Sequence, residues 1–538
     1  MRRGTRFEHA FRISPDSKRV AFVQYDTSPV AVLCVPEMLA DRVACREQRR
    51  PPAGSANSRI RIGFAAAGKE PVWASLPAAL TDFYVTHLVW FDADRLLAGV
   101  EDRSTQSLTI YSISAADGSA QAVVVERDDA WVNLARTWIV PGDARSFVFG
   151  SERSGWAHAY RIDLETGAST SPTAGDWEVD AVEAVVKGQG AASRTARVSL
   201  RPTPLSCAVG RRRSRATHHD TRLARCNAFT RWQVGCVAVQ QNSRHLQTYG
   251  SAPLDLALIP GNGSIVSEDF SATRLVTPRI VSIPATRGGG KITGLLWEPT
   301  GPIPRGGRPA IVYVHGAGYT QDVKRGFNKT GGLHSLMAHA GYAVLSIDYR
   351  GSEGYGRAWR TAVHNALGDL DLADSIAAAD WLAQNVAGVK RDRIGIWGTS
   401  YGGFLALMAA GRAPGSFAAH GAGAPVTNWA NYDTSYTEER LGRPQQNALA
   451  YQQSSPLTYA GKVTGPVLLF HGLRDDNVHA QDSMQYADRL IEAGIRFEMM
   501  VYPAATHRQF SDAARRHSFD LLISFFDRTL RRSSEPSR

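Results

Sequence analysis

The carboxyl-terminal half of the chain alternates short, wholly apolar segments with longer amphipathic ones. Apolar segments stand at 311–314, 344–347 and 467–470, and apolar residues recur every three or four positions from about 367 to 385. The first pattern is typical of buried strands and the second of helices. Because parallel strands are joined by crossovers that are usually helices, this alternation predicts a mostly parallel, doubly wound sheet with helices on both faces.

The first part of the chain follows a different pattern, with many short β-rich segments between turn clusters. Segments at 19–23, 108–111 and 146–149 are examples, and turns stand at 14–17, 116–118 and 165–167. Many short strands without long helices predict an all-β sandwich or propeller. Since 538 residues are too many for one hydrophobic core, we place one domain at 1–277 and a second at 278–538.

The window 201–244 fits neither domain. It holds nine arginines and one acid, Asp220, which together give +8 of the net charge of +11, and it has no useful periodicity. Outside it the chain is close to neutral, so the charge does not indicate a nucleic-acid partner. Two interpretations stay open, a basic disordered loop or a stretch translated out of frame. We therefore treat 201–244 as an irregular part of an incomplete first domain.

Cysteine spacing gives no sign of a metal site or a disulfide framework, because the five cysteines include no C-x-x-C pair. No apolar run of about 18 residues indicates a membrane span. The residues after Met1 lack the apolar core of a secretory signal. On this start we expect a cytoplasmic protein, whereas a start further upstream would leave a periplasmic location open.

One motif in the second domain indicates a catalytic site. Residues 398–402 read G-x-S-x-G, directly after a strand pattern at 393–397 and before an apolar helical stretch at 404–408. Between a strand and a helix, the glycines let the chain turn sharply enough to lift the serine hydroxyl out of the sheet. This context predicts an α/β-hydrolase domain with Ser400 as its nucleophile.

A serine hydroxyl needs a base to become nucleophilic, and the base needs an orienting acid. In α/β-hydrolases the acid and then the histidine follow the serine along the chain. His507 follows a strand pattern at 497–502, and Asp475 and Asp476 follow the strand pattern before it. All three lie past strand ends, at the same edge of the sheet as Ser400. On these grounds alone either aspartate could be the acid.

The oxyanion of a tetrahedral intermediate needs hydrogen-bond donors. The backbone N–H of Tyr401, directly after the serine, supplies one. The second is expected from the loop after the first buried strand, which reads H-G-A-G-Y at 315–319 and is similar to an HGGG-type oxyanion loop. We therefore place the second donor at His315 or Gly316.

Four stretches of the second domain, at 348–352, 397–403, 424–438 and 471–479, read DYRGS, WGTSYGG, APVTNWANYDTSYTE and HGLRDDNVH. In them the sequence resembles the prolyl oligopeptidase family of serine peptidases, and within it the dipeptidyl peptidase IV branch. The resemblance is weaker in the first domain, through 13–17, 40–42, 47–49 and 175–179. It implies a β-propeller in front of the hydrolase domain, here incomplete and amino-terminally truncated, which admits peptides and excludes folded proteins.

The resemblance also implies roles for individual side chains. It selects Asp475 rather than Asp476 as the acid, and it makes Asn477 an amide donor to a substrate carbonyl. The residues that match the branch's pocket for a penultimate proline are Tyr401, Val426, Trp429, Tyr432, Tyr436 and Val478. Flat aromatic walls suit proline, because its ring is compact and apolar.

The sequence departs from this branch in several places. A paired-glutamate motif that grips the α-amino group of the peptide would precede the turn at 14–17, where Arg2 and Arg3 stand, and an arginine that helps hold the substrate carbonyl is missing. Without a carboxylate partner, the α-ammonium loses a contact of roughly 1.5–3 kcal/mol. His315 stands in place of a usual tyrosine, and Arg508 in place of the glycine after the histidine.

The sequence therefore predicts a dipeptidyl peptidase IV-like serine peptidase that cleaves after proline or alanine through an acyl-enzyme on Ser400. Two alternatives stay open. One is a broader acyl-peptide hydrolase or esterase, because the amine anchor is missing. The other is an inactive remnant or binding scaffold, because of the truncated start and the window 201–244. We expect no cofactor and no metal, and peptide substrates rather than nucleic acid or membrane as partners, and we leave a homodimer open.

Overall fold

The computed structural model of the chain describes residues 11–39, 41–42, 44–171, 173–179, 182, 222–229, 233–241, 246–252, 275–324 and 330–531. The irregular window predicted at 201–244 falls largely outside these ranges, although two strands within it, at 222–229 and 233–241, pair with each other. The out-of-frame interpretation concerns the coding DNA and stays a hypothesis. The domain boundary placed between 277 and 278 also stays a prediction.

Antiparallel sheets make up the first part of the chain. Its strands are β1 (Phe11–Ile13), β2 (Arg19–Asp26), β3 (Val32–Glu37), β4 (Ala44–Arg49), β5 (Arg59–Ala66), β6 (Val72–Trp73), β7 (Phe83–Trp90), β8 (Arg95–Asp102), β9 (Ser107–Ser114), β10 (Ala120–Arg127), β11 (Ile139–Asp143), β12 (Ser146–Ser151), β13 (His158–Asp163), β14 (Ser169–Thr170), β15 (Arg222–Phe229), β16 (Gln233–Gln241) and β17 (Leu246–Ala252). The sheets have the strand orders β1-β2-β5-β6, β10-β9-β8-β7, β11-β12-β13-β14 and β15-β16-β17, and β3 pairs with β4.

The sheet of β7 to β10 is buried on both faces. Leu96 and Leu97 are neighbours in β8 and point to opposite faces, because side chains alternate along a strand. Leu96 belongs to the buried cluster that contains Phe64 of the preceding sheet, and Leu97 to the cluster that contains Phe147 of the following sheet. Successive small sheets that pack face to face are what a propeller-like, all-β domain requires.

The hairpin of β3 and β4 carries a disulfide that the sequence analysis did not predict. Antiparallel pairing places Cys34 opposite Glu47 and Cys45 opposite Pro36, so both cysteines lie on one face of the hairpin. Their Cα atoms are 5.3 Å apart, a separation that a disulfide can span, and their sulfurs are bonded. The expectation of no disulfide was wrong for this pair, because the strand register that joins the sulfurs is not visible in cysteine spacing.

An eight-stranded sheet forms the second part of the chain. Its strands are β18 (Arg279–Pro284), β19 (Lys291–Trp297), β20 (Arg308–Val314), β21 (Ala343–Asp348), β22 (Val389–Thr399), β23 (Ala419–Gly423), β24 (Val467–Gly472) and β25 (Glu498–Tyr502). Their order is β18-β19-β21-β20-β22-β23-β24-β25. The pairs β18–β19 and β19–β21 are antiparallel, and all the other pairs are parallel.

Helices cover both faces of this sheet. They are α1 (Gly331–His339), α2 (Arg357–Thr361), α3 (Leu370–Asn385), α4 (Tyr401–Arg412), α5 (Thr434–Leu441), α6 (Ala448–Ser454), α7 (Gln481–Glu492) and α8 (Asp512–Leu530), with 3-10 turns at Trp429–Asn431 and Pro456–Lys462. The β20 neighbours Ile311 and Val312 belong to different buried clusters, with Phe526 of α8 and Leu405 of α4 respectively. The predicted fold class, an α/β-hydrolase domain after antiparallel sheets, is confirmed. Among the described helices, none is long and apolar enough to cross a membrane.

Buried ion pairs join the two parts of the chain. Arg360 of α2, whose side chain is 2% exposed, lies 2.7 Å from Glu152 and 3.3 Å from Asp128. In a second pair the arginine comes from the first part of the chain. Arg103 donates to both carboxylate oxygens of Glu438 in α5, each at 2.7 Å. Because a buried charge without a partner is strongly destabilising, these pairs fix the first part of the chain on the hydrolase domain.

Candidate active site

Ser400 stands at the turn between the end of β22 and the start of α4. Its φ is +61° and its ψ is −118°, a conformation that costs a non-glycine residue free energy and persists only when surrounding structure enforces it. The Ser400 N–H donates to the carbonyl of Gly423 at 2.8 Å, and the Ser400 carbonyl accepts from the N–H of Phe404 at 2.9 Å. The turn places Ser400 just past the carboxyl end of β22, as the G-x-S-x-G motif predicts.

Both glycines of this motif lie so close to one backbone oxygen that a side chain at either position would clash with it. A Cβ added at Gly398 would lie 2.2 Å from the carbonyl oxygen of Val314, and a Cβ at Gly402 would lie 2.0 Å from the same oxygen. Only residues without a Cβ let the end of β22 and the first turn of α4 pack this closely against the end of β20. The serine turn therefore packs directly against the start of the loop that follows β20.

That loop carries His315 and Gly316. A Cβ at Gly316 would lie 3.4 Å from the Cβ of Ser400, so the backbone of the loop is next to the serine. The His315 imidazole is buried, with Nε2 3.0 Å from Ser352 Oγ and Nδ1 3.0 Å from the Gly316 carbonyl, and it stacks on Tyr349 at 4.4 Å. Burial lowers the pKa of His315, which favours the neutral ring.

His507 and Asp475 form a close pair on the loops that follow β25 and β24. His507 Nδ1 lies 2.7 Å from Asp475 Oδ2, and the other carboxylate oxygen accepts from the backbone N–H groups of Asn477 and Val478, both at 2.9 Å. Burial alone would raise the pKa of Asp475, but the charge of His507 and hydrogen bonds from His471 and His507 hold it well below its usual range. Asp475 is therefore an ionised, fully engaged carboxylate that orients the imidazole.

The neighbouring Asp476 is placed differently. Its carboxylate is partly exposed and its nearest charged partner is Arg46 at 4.0 Å, so Asp475 and not Asp476 contacts His507. Within the described residues, the Ser400 hydroxyl makes no hydrogen bond with His507. A serine–histidine contact is often longer before substrate binds.

Four buried rings form an aromatic cluster beside the serine turn, and they are Tyr401, Trp429, Tyr432 and Tyr436. Trp429 lies at its centre, with ring centroids 5.9 Å from each of the other three. Val426 and Val478, the two aliphatic residues assigned to the same pocket, are also buried. The structure thus gathers the predicted aromatic residues into one group of rings.

Polar partners of the cluster include residues that the sequence analysis missed. The Tyr401 hydroxyl donates to Asp371 Oδ2 at 2.6 Å, and burial raises the pKa of Asp371 to about 6. The guanidinium of Arg440 lies 3.8 Å from the centre of the Tyr436 ring, a cation–π contact. Asp371 stands in a helix pattern and gave no signal as a site residue. Arg440 stands four positions after Tyr436, and this spacing predicts that the two side chains are neighbours on one face of a helix.

The side-chain amide of Asn477 contacts the cluster through its oxygen atom. Its Oδ1 accepts from the Tyr432 hydroxyl at 3.0 Å. Its Nδ2 is buried and has no hydrogen-bond partner among the described residues. A buried amide donor without an acceptor is costly, which makes this N–H group a candidate donor to a bound ligand.

The fold, the serine turn and the histidine–aspartate pair are those of a serine hydrolase of the α/β-hydrolase class. The sequence matches the prolyl oligopeptidase family over residues 331–533 and the dipeptidyl peptidase IV (DPP IV) N-terminal region over residues 6–193. The hydrolase part of the chain therefore belongs to the prolyl oligopeptidase family of serine peptidases, and the resemblance found in its motifs is confirmed.

Relatives of the chain are similar over much of its length. Dipeptidyl peptidase 8 of Mus musculus is 28% identical over 470 residues, which are 77% of this chain and 50% of that protein. Probable dipeptidyl-aminopeptidase B of Aspergillus clavatus is 26% identical over 558 residues, or 95% of this chain and 60% of that protein. The chain thus spans between half and three fifths of the length of these two curated relatives.

A solved structure shows the same fold. The crystal structure of Porphyromonas gingivalis dipeptidyl peptidase 4 matches with a TM-score of 0.83 at 24% sequence identity. The match covers 97% of this chain and 74% of that one. The antiparallel sheets and the hydrolase domain of this chain are therefore arranged as in that protein.

We expect Gly402→Ala to lower the free energy of unfolding by about 1–3 kcal/mol, because the new methyl group overlaps a backbone oxygen that cannot move aside. Gly332→Ala in α1 is the matched control, since its Cβ would meet nothing within 4 Å and alanine favours a helix by roughly 0.5–1 kcal/mol. Denaturant midpoints measure both. Equal midpoints for the two variants would contradict the close approach of α4 to β20.

Proposed function

We propose that the chain hydrolyses peptide bonds after proline or alanine through an acyl-enzyme on Ser400. The observation that carries this proposal is the His507–Asp475 pair, with a fully buried carboxylate, which lies at the same edge of the sheet as the Ser400 turn. The names of the two curated relatives, a dipeptidyl peptidase and a dipeptidyl-aminopeptidase, support a dipeptidyl peptidase IV-like activity.

In this mechanism Ser400 Oγ attacks the carbonyl carbon of the scissile bond while His507 Nε2 accepts the hydroxyl proton. Asp475 accepts the Nδ1–H of the same imidazole, which fixes its tautomer and stabilises the imidazolium. His507 then gives its proton to the leaving amine, and the acyl group stays on Ser400. A water molecule then gives a proton to His507 and attacks the acyl carbon. The bond from that carbon to Ser400 Oγ breaks, His507 returns the proton to Oγ, and the acyl group leaves as a carboxylic acid.

Backbone N–H groups are the proposed oxyanion donors. One is that of Tyr401, at the first position of α4, where helix N–H groups have no partner within the helix. We assign the second to the backbone of the loop at His315 and Gly316, which lies against Ser400. The His315 imidazole is already bound to Ser352 and to the Gly316 carbonyl, so its proposed contribution is to hold this loop in place.

The aromatic cluster, with Val426 and Val478, is the proposed S1 pocket. Its rings are already packed and desolvated, so a proline ring is recognised by apolar contact rather than by charge. Asn477 is the proposed donor to a substrate carbonyl on the amino-terminal side of the scissile bond, because its Nδ2 has no partner among the described residues. Together these groups would orient the carbonyl carbon toward Ser400.

We expect Asp475→Asn to lower kcat for a chromogenic Xaa-Pro amide by on the order of 10⁴-fold, because the amide no longer selects the correct imidazole tautomer. Asp476→Asn is the matched control, one residue away with a carboxylate that does not contact His507, and its kcat is expected to change less than about threefold. Steady-state kinetics of both variants test the assignment. A larger loss in Asp476→Asn than in Asp475→Asn would overturn it.

The specificity is tested with an unblocked Gly-Pro p-nitroanilide, its N-acetylated form and p-nitrophenyl acetate. A dipeptidyl peptidase IV-like activity predicts a higher kcat/KM for the unblocked amide than for the acetylated one. Preference for the acetylated amide would indicate an acyl-peptide hydrolase, and turnover of the ester alone an esterase. Turnover of none of the three, under conditions in which the chain is folded, would point to a binding scaffold.

A further inference from the structure

Arg50 directly follows β4 in the first part of the chain, but its partners lie in the hydrolase domain. Its Nη2 lies 2.8 Å from Asp433 Oδ2. Its Nη1 donates to the backbone carbonyls of Asp476 and Asn477. Its guanidinium carbon lies 4.6 Å from the centre of the Tyr432 ring. The side chain is 11% exposed, so these contacts are made largely out of water.

These contacts converge on one hydrogen bond of the proposed substrate site. Tyr432 donates its hydroxyl to Asn477 Oδ1, and Arg50 contacts the ring of the first residue and the backbone carbonyl of the second. The Tyr432 bond uses the oxygen of the Asn477 amide, and Nδ2 is thereby left as the free donor. If the segment with Tyr432 or the loop with Asn477 shifts, the amide loses this orientation.

We infer that Arg50 is a positioning residue, which holds the Asn477 amide so that its Nδ2 can donate to a substrate carbonyl. This inference rests on the proposed function of Asn477. Arginine suits the role because its planar, always charged group can pair with Asp433, donate to two carbonyls and lie against an aromatic ring at the same time. Arg50 acts through Asn477 and Tyr432 and does not touch the reacting atoms.

The hairpin that ends next to Arg50 supports the same loop. Gln48 Nε2 donates to the Asp476 carbonyl at 3.1 Å, and Glu37 pairs with Arg474 at 2.8 Å. The disulfide of Cys34 and Cys45 cross-links the two strands. The Glu37–Arg474 pair is more exposed, with side chains 30% and 40% exposed, and exposed pairs of this kind contribute little.

The test uses Arg50→Met in the full chain, because methionine keeps the length of the stem and removes the charge and the donors. The first substrate is unblocked Gly-Pro p-nitroanilide, which has the glycine carbonyl in addition to the scissile one. The second is p-nitrophenyl acetate, whose only carbonyl is the scissile one. We expect KM for the amide to rise about tenfold, the size of one lost hydrogen bond, with a smaller change in kcat. The amide-to-ester ratio of kcat/KM is expected to fall by a similar factor.

Two further variants sharpen the comparison. Asp433→Asn removes the charge partner of Arg50. It keeps a side-chain oxygen that can accept from the Tyr436 N–H at the start of α5. We expect a selective rise in KM for the amide that is smaller than in Arg50→Met. Glu37→Gln is the matched control, because it breaks a hairpin contact that does not reach Asn477, and its amide-to-ester ratio is expected to stay within about twofold of wild type.

An unchanged KM for the amide in Arg50→Met would overturn the inference. Equal losses on amide and ester would also overturn it, because they would show a general structural role. Failure of the proposed function itself has a different signature, since wild-type protein would then not hydrolyse the unblocked amide, whether or not it hydrolyses the ester. If Arg50→Met does not fold, Asp433→Asn carries the test, and an unchanged amide-to-ester ratio in that variant would be contrary to the inference.

Discussion

The site depends on the parallel direction of β20, β22, β24 and β25. Because these strands run the same way, the loop at 315–319, the Ser400 turn, the Asp475 loop and the His507 loop all emerge at one edge of the sheet. At this edge Gly398 and Gly402 pack closely against the carbonyl of Val314, which brings the serine turn against the loop after β20. A sheet with one of these strands reversed would scatter the same residues over two edges.

The first part of the chain contributes to the site through contacts rather than through reacting groups. Buried pairs such as Arg360 with Glu152 fix it on the hydrolase domain, and Arg50 reaches from its β3–β4 hairpin to the loop that carries Asn477. Aromatic rings and backbone donors come from the hydrolase domain alone. The propeller-like part therefore contacts the loop that carries Asn477, while the chemistry that we propose stays with Ser400, His507 and Asp475.

Local patterns in the sequence predict the hydrolase domain well. The strand patterns, the helix that begins at Leu370 and the G-x-S-x-G turn can all be read there, because each follows from residues that are close together along the chain. The Cys34–Cys45 disulfide depends on strand register, and the contact of Arg50 with Asn477 joins residues more than 400 positions apart. Neither leaves a periodic signal. The choice of Asp475 over Asp476 came from family resemblance, since spacing alone fits both residues equally well.

The central claim is that Ser400 is an activated nucleophile, and covalent labelling tests it most directly. A fluorophosphonate reacts with a serine hydroxyl only where a base and an oxyanion site activate it. We predict that wild-type protein gains one phosphonyl group, that peptide mass spectrometry locates it on Ser400, and that Ser400→Ala is not labelled. A folded wild-type protein that stays unlabelled, or that carries the label on another residue, would contradict the account.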